Sequence, residues 1–413
     1  MIEPLQPAAP TIEELRAFAP DWCLFWPSFV SPAHFAIWRP YIARSRYRFI
    51  VMARNGQVRS AERAAIAALP NCMAMEATDE TVRWLKRVPG FRGFLYVLGF
   101  KTPTFTNVNT FGNHAHVWIG HGESDKHASA PRTASLYDAL FIGRYRRLSR
   151  FPRAIMPWVR RTACAIGAPI VDGAVSDPWT EPRPVRTILY APTWEGYSDH
   201  TNYSSVLDAA PAIAAALPAL RERGTRLIVR PHQSTGRRLP ALTAALDELF
   251  AAGAERGVDK PADFAASDMV IVDISGANAE YLFTRKPSFM PVLSRLAAVG
   301  KSRAGVGRDH PWAYQWDPAT EPLAERIERL ERSDPLRDRR EAQARSVYRG
   351  HRSIEEAVRT FDLALGATWF RQTPIPVRWA FEVARVIGPA PRLVALVRRV
   401  LRITRIDRRA VSR

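Results

Sequence analysis

The stretch Ala266-Ser-Asp-Met-Val-Ile-Val-Asp-Ile-Ser-Gly-Ala-Asn-Ala-Glu-Tyr-Leu-Phe-Thr-Arg-Lys-Pro287 decides the fold. Met269–Val272 is a short, continuous apolar run, the pattern of a strand buried on both faces. It stops at Asp273, and Ser275-Gly276 opens a helical pattern over Asn278–Thr284. Another apolar run, Ser288–Pro291, follows at once. Strand, polar turn, helix and strand in succession are the unit of a parallel sheet covered by helices.

The same alternation continues in both directions. Upstream come strand Thr187–Tyr190, helix Val206–Arg221, strand Arg226–Val229 and helix Leu239–Ala251; downstream come helices near Glu321–Arg332 and Pro335–Leu365. The N-terminal half repeats it, with strands expected at Trp22–Trp26, Tyr47–Met52, Asn71–Met75, Gly93–Leu98, Ala115–Ile119 and Ala139–Ile142. Helical patterns at Ser60–Leu69 and Asp79–Arg87 lie between them. Around Gly167–Arg186 the pattern breaks into a stretch with four prolines, which reads as an interdomain connection. The expectation is α/β, with two doubly wound, Rossmann-type domains facing a cleft: residues 1–170, a linker 171–186, and residues 187–366. Active sites in such folds sit outside the carboxyl ends of the strands.

Composition bounds the function. The chain has 413 residues, 47% hydrophobic and 24% charged, which is ordinary globular composition and excludes disorder of the bulk. Its three cysteines, Cys23, Cys72 and Cys164, are far apart, against a disulfide framework or a Cys-based zinc site and in keeping with a reducing cytosol. The first residues have neither a basic nor an apolar signal-peptide region, and no apolar run is long enough to span a bilayer. A net charge of +19, nearly all of it from Arg, favours anionic partners. In the tail 367–413, Leu393, Leu396, Val397, Val400, Leu401 and Ile403 fall on one helical face with Arg398, Arg399, Arg402 and Arg405 around it. That is the pattern of an amphipathic helix on an anionic membrane surface; the alternative is a helix docked on the protein's own core with its Arg stems snorkelling.

Four segments carry chemistry. In the first, the strand Ala115–Ile119 runs out into His121-Gly122, with Ser124, Asp125 and Lys126 close behind. A neutral histidine at a strand end takes a proton from a hydroxyl, and a nearby carboxylate orients it. His114 and His116 lack a third ligand at metal spacing and read as structural. The second segment, Thr187–Gly196, ends in a loop where Thr193 offers a donor to phosphate and Trp194 a flat apolar surface. The third delivers Arg230 and His232 at one strand end, an arrangement suited to a phosphate or diphosphate. The fourth is the opening stretch, where backbone N–H groups at Ser275-Gly276 suit an anion and Glu280, one turn on, suits ribose hydroxyls. There is no GxGxxG here and no GxxxxGK[ST] anywhere, so dehydrogenase and P-loop readings fall away.

In order, the four segments resemble those of the CDP-glycerol glycerophosphotransferase family, the teichoic-acid primases and polymerases. The family's marks are a Trp-x-His-Gly loop followed by lysine, an Ala-Pro-Thr-Trp strand end, a Lys-x-His-Pro strand end, and Ser-Asp-x-x-Ile-Thr-Asp-Tyr-Ser-Ser followed by Asp and Lys-Pro. Here they are similar to Trp118–His121 with Lys126, Ala191–Trp194, Arg230–Gln233, and Ser267–Gly276 with Glu280 and Lys286-Pro287. Two residues, Ile119-Gly120, separate Trp118 from His121; Arg230 replaces Lys, Gln233 replaces Pro, and Ile274-Ser-Gly276 replaces Tyr-Ser-Ser.

The resemblance implies a GT-B-like fold and transfer of a polyol phosphate from a CDP-activated donor to a polyprenyl-phosphate-linked or glycan acceptor. It implies His121 as general base and His232 as the residue assisting at the donor diphosphate. Donor binding falls to Thr193, Arg230, Asp273, Ser275, Gly276 and Glu280, and the acceptor side to Gly122, Ser124, Asp125 and Lys126. No metal cluster is evident in the sequence, and Mg²⁺ on the diphosphate stays open. The expected location is cytoplasmic, peripheral on the inner face of the cell membrane. Two alternatives remain: a GT-B sugar transferase or nucleotide-sugar epimerase, and a non-catalytic basic membrane- or nucleic-acid-binding protein. Against the last, no recognisable nucleic-acid module is present.

Overall fold

The computed structural model describes residues 11–26, 32–53, 60–97, 114–120, 132–143, 148, 151–167, 179–293, 310–347 and 353–370. They form two compact units.

The first unit is built on seven parallel strands: β1 (Trp22–Trp26), β2 (Phe49–Ala53), β3 (Cys72–Glu76), β4 (Gly93–Tyr96), β5 (Ala115–Trp118), β6 (Ala139–Ile142) and β7 (Ala163–Ala165). Their order in the sheet is β3-β2-β1-β4-β5-β6-β7. Helices α1 (Ile12–Phe18), α2 (Pro32–Arg44), α3 (Ser60–Ala67), α4 (Asp79–Lys86) and α5 (Met156–Thr162) connect or flank them. The start of α1 is fixed by a capping box between Thr11 and Glu14, and α4 starts at Thr78, whose hydroxyl accepts the Thr81 N–H.

The second unit has six parallel strands: β8 (Thr187–Ala191), β9 (Arg226–Val229), β10 (Glu255–Arg256), β11 (Met269–Val272), β12 (Ser288–Pro291) and β13 (Tyr314–Trp316), in the order β10-β9-β8-β11-β12-β13. Its helices are α6 (Val206–Glu222), α7 (Ala241–Ala251), α8 (Lys260–Ala266), α9 (Gly276–Tyr281), α10 (Leu323–Arg332) and α11 (Arg337–Val347). Counted from its own first strand, the second sheet runs 3-2-1-4-5-6 and the first runs the same way with a seventh strand added at its end, the doubly wound order that reverses between the first and fourth strands. In the second unit that reversal lies between β8 and β11, which pair from Met269 opposite Ile188 to Val272 opposite Ala191.

Burial explains why these runs are strands. Every residue of β8, β11 and β12 is buried, and alternate side chains enter two separate cores. Ile188, Tyr190, Met269 and Ile271 join Leu227, Val229 and the inner faces of α6, α7 and α10. Leu189, Ala191, Val270 and Val272 join Phe264, Tyr281 and Met290 on the other face. A sheet covered on both sides excludes polar residues from its central strands, which is why the apolar runs are continuous.

Element ends shift by one or two residues in several places, and the larger differences from the sequence reading lie at the domain boundaries. Residues 179–186 of the expected linker are built into the second unit: Trp179 and Val185, each 1% exposed, lie in its core. The expected single helix Pro335–Leu365 is two helices in different units, α11 and Ile354–Phe370. The sequence reading assigns the latter to the second domain up to residue 366, yet it belongs to the first unit because its apolar face packs there. Phe361 is fully buried against Trp38, Tyr41 and Phe141. Asp362 also accepts a hydrogen bond from Ser45 Oγ at 2.5 Å and one from the Arg46 N–H at 3.0 Å. Residues 371–413, with the basic amphipathic pattern, lie outside the described residues. Among the described residues, no helix is long and apolar enough to cross a membrane.

Candidate functional site

All strands of the second sheet are parallel, so their carboxyl ends share one edge. That edge gathers the loop after β8 (Pro192–Gly196), the loop after β9 (Arg230–Leu239), the start of α8, and the turn after β11 into α9. Of the residues expected to act, Thr193, Arg230, His232, Asp273, Ser275, Gly276 and Glu280 all lie here. His121, Gly122, Ser124, Asp125 and Lys126 lie outside the described residues.

His232 is the exposed member of the group. Its ring stacks on the indole of Trp194, with centroids 5.8 Å apart and planes 17° from parallel. Its Nδ1 accepts the backbone N–H of Ser234 at 3.1 Å. A neutral ring that accepts at Nδ1 carries its proton on Nε2, so the far side of the imidazole is a hydrogen-bond donor. Tyr197, 76% exposed, meets the same indole edge-on at 4.8 Å.

The loops beneath this ring are tied together by carboxylates. Glu195 is fully buried. Its Oε1 accepts the N–H groups of Arg238 at 2.6 Å and Leu239 at 3.1 Å, and its Oε2 accepts that of Gly236 at 3.1 Å. Burial alone would raise this carboxyl, but hydrogen bonds from its own N–H and those of Arg238, Leu239 and Gly236 outweigh it and hold the group below its ordinary range. Gly236 has a φ of +80°, a conformation that suits glycine.

At the switch point, Asp273 Oδ2 accepts the N–H of Thr193 at 2.7 Å and of Ser205 at 3.1 Å. One carboxylate thus joins the end of β11, the loop after β8 and the start of α6. Ser275 is the N-cap of α9, its Oγ accepting the Asn278 N–H at 3.4 Å. Gly276 is half-buried at the first position of that helix.

Three expected donor ligands have partners within the protein. Thr193 is 3% exposed and takes part through its backbone. The Arg230 Nε donates to Asp263 Oδ2 at 2.5 Å, which ties its guanidinium to α8. Glu280, 2% exposed, holds Lys260 Nζ at 2.6 Å on Oε2. Lys286 is buried and donates to the carbonyls of Ala265 at 2.9 Å and Ser267 at 2.5 Å, closing the end of α8 as a C-terminal cap. Sequence reasoning gave no role to Glu195, Asp263 or Lys260. The signal for Glu195 is an acid set directly against the aromatic residue of a strand-end loop.

In the first unit, the carbonyl of Gly120 accepts the Trp38 Nε1–H at 2.7 Å, so α2 holds the residue that precedes His121. Gly120 itself has a φ of +66°. His116 is 2% exposed and stacked between Phe94 and Tyr96, with Tyr96 Oη 2.8 Å from its Nδ1. Among the described residues, no group of three or more His, Cys, Asp or Glu has the spacing of a metal site.

The sequence matches no protein-family model and no curated protein. Solved structures do match. The wall teichoic acid polymerase TagF superposes with a TM-score of 0.55 at 13% identity, over 87% of this chain and 94% of that one. A TagF variant soaked with CDPG gives a TM-score of 0.54 at 14% identity, over 87% and 92%. A structure assigned as a UDP-N-acetylglucosamine 2-epimerase, from Listeria monocytogenes, gives 0.54 at 14% identity, over 86% and 98%. The chain has their fold. It is an α/β, GT-B-like protein with two Rossmann-like domains, and its solved neighbours are enzymes of cell-envelope and nucleotide-sugar chemistry.

Proposed function

We infer that the protein transfers a polyol phosphate, glycerol phosphate or a close analogue, from a CDP-activated donor to a lipid-linked or cell-envelope glycan acceptor. The observation that carries this reading is His232, fixed on Trp194 as an Nε2–H donor at the strand-end edge of a nucleotide-binding type of sheet. The order of the four sequence segments supports it, as does the fold shared with TagF over most of both chains.

In the reaction, an acceptor hydroxyl oxygen attacks the phosphorus that bears the polyol. The bond from that phosphorus to the bridging oxygen breaks, and CMP leaves with the electron pair. His121 takes the hydroxyl proton. His232 donates from Nε2 to the phosphate oxygens, where charge grows as CMP departs. Ser275, Gly276 and Glu280 serve the donor, and Lys260 on Glu280 adds a cation to the same turn. Gly122, Ser124, Asp125 and Lys126 serve the acceptor. The basic residues 371–413 suit a lipid-linked acceptor at the inner, anionic face of a membrane.

A nucleotide-sugar epimerase or sugar transferase is the second reading, favoured by the comparable likeness to the Listeria structure. Thermal melting against CMP, CDP-glycerol, CDP-ribitol, UDP-sugars and GDP-sugars separates the two. A ligand at about 100 times its dissociation constant adds about 2.7 kcal/mol to the native state. The proposal expects stabilisation by cytidine nucleotides; a response to UDP- or GDP-sugars alone transfers the case to the second reading.

A further inference from the structure

The buried carboxylate of Glu195 does no chemistry in the scheme above, yet it is heavily bound. It accepts three backbone N–H groups, from Gly236, Arg238 and Leu239, all in the loop that carries His232. It is also the chain neighbour of Trp194, on which the His232 ring is stacked. Glu195 therefore joins the aromatic floor to the loop above it. Within the loop, the Ser234 N–H bonds His232 Nδ1 at 3.1 Å, the Thr235 N–H the His232 carbonyl at 2.8 Å, and the Arg237 N–H the Ser234 carbonyl at 3.2 Å. None of these three bonds reaches the loop after β8. From Arg238 to that side run the ion pair with Asp199, whose carboxylate is 88% exposed, and a 3.5 Å contact with the Glu195 carbonyl. An ion pair so exposed contributes little.

We propose that Glu195 is a positioning residue for His232: by fixing the Gly236–Leu239 backbone, it keeps Ser234 N–H on Nδ1 and the ring flat on Trp194, so that Nε2 carries the proton. Three N–H groups converge on one carboxylate, which makes charge and shape both necessary. Glutamine has the same outline but presents an NH₂ group to at least one N–H donor, so one hydrogen bond becomes a repulsion. Aspartate keeps the charge and falls short by one methylene.

The inference rests on the transferase reading only for its kinetic part, and the test separates the two. Histidine side-chain nitrogens are followed by long-range ¹H–¹⁵N correlation in the full-length protein without any donor, with His232→Ala identifying the signal. The wild type is expected to show Nε2 protonated and Nδ1 bare. Glu195→Gln is expected to average the two tautomers and to shift the Gly236 and Arg238 amides. With CDP-polyol, kcat is expected to fall by about ten- to a hundredfold while KM stays within about twofold, the mark of a misplaced transition-state donor. Glu195→Asp, the conservative variant, is expected to recover part of both effects, and it carries the test if Glu195→Gln does not fold. An unchanged His232 tautomer in a folded Glu195→Gln or Glu195→Asp protein overturns the proposal. A changed tautomer in a protein that turns over no CDP-polyol keeps the positioning role and removes the transferase reading instead.

Discussion

The imidazole of His232 and the indole of Trp194 are held face to face, 5.8 Å between centroids, by two loops that leave neighbouring strands, β9 and β8. The contact is worth about 0.5–1.5 kcal/mol beyond the area it covers. Its larger effect is on orientation: a ring stacked on a half-buried indole, with Nδ1 bonded to the Ser234 N–H, has its plane and its tautomer set.

Trp194→Ala is therefore expected to leave the fold intact and to lower turnover by about tenfold, because His232 loses its floor rather than its chemistry. Trp194→Phe keeps a flat surface and is expected to retain most of the activity. Steady-state kinetics on the pair decide it. Equal losses in both would mean that Trp194 acts through something other than stacking.

Asp273 is the tie at the switch point, and its removal is a matter of stability. Asp273→Ala strands the N–H groups of Thr193 and Ser205, both in buried residues. Each such charge-assisted bond is worth about 1.5–3 kcal/mol. Denaturant titration is expected to show a loss of several kcal/mol in the second unit. A loss below about 1 kcal/mol would contradict the assignment.

Two carboxylates give opposite dependences on pH. Glu195 is held below its ordinary range by backbone N–H groups despite its burial, so its contribution is full above the unfolded carboxylate pKa and is lost as pH falls through the lower folded value. Asp362 is raised by burial, which outweighs the bonds from Ser45 and Arg46 and the nearby Arg46 charge, so its relative contribution is greatest in acid and declines as pH rises through the elevated value. Melting curves from pH 3 to pH 8 are the check. The advantage of wild type over Glu195→Gln is expected to shrink towards acid, and its standing against Asp362→Asn to worsen towards neutral pH. Parallel pH profiles for the two variants would refute the electrostatics.

The Ile354–Phe370 helix is part of the first unit's core, not an appendage. Phe361→Ala removes a ring that touches Trp38, Tyr41 and Phe141 and is expected to cost about 3–5 kcal/mol. Trp38→Phe keeps a ring in that cluster but strands the Gly120 carbonyl, at a cost of about 1–3 kcal/mol. Because Gly120 precedes His121, this second change is also expected to reduce turnover. A Trp38→Phe protein as stable and active as wild type would show that the Gly120 bond anchors nothing.

Strand positions were legible wherever a continuous apolar run lay deep in a two-sided sheet. Ala139–Ile142, Arg226–Val229, Met269–Val272 and Ser288–Pro291 start and stop where the pattern says. Ala163–Ala165, Glu255–Arg256 and Tyr314–Trp316 were not legible, because two or three residues carry no periodicity and pairing with a neighbouring strand is what defines them. The position of His232 at a strand end could be read from the apolar run Arg226–Val229 that stops just before it. The grip of Glu195 on it could not: its partners lie 41 to 44 residues away and are backbone amides, which leave no mark in a sequence. Lys260 escaped for a similar reason, since its bond to Glu280 exists only once α8 and α9 lie side by side. Trp179 shows the converse error, an apolar anchor hidden in a proline-rich stretch that reads as linker.

The central claim is tested most directly by following CMP when the full-length protein is given CDP-glycerol or CDP-ribitol and a polyprenyl-phosphate-linked acceptor. The account predicts CMP release matched by polyol phosphate gained on the acceptor, with a loss of at least about a hundredfold in folded His121→Ala and His232→Ala proteins. No CMP from either donor, or full turnover by both variants, would contradict it.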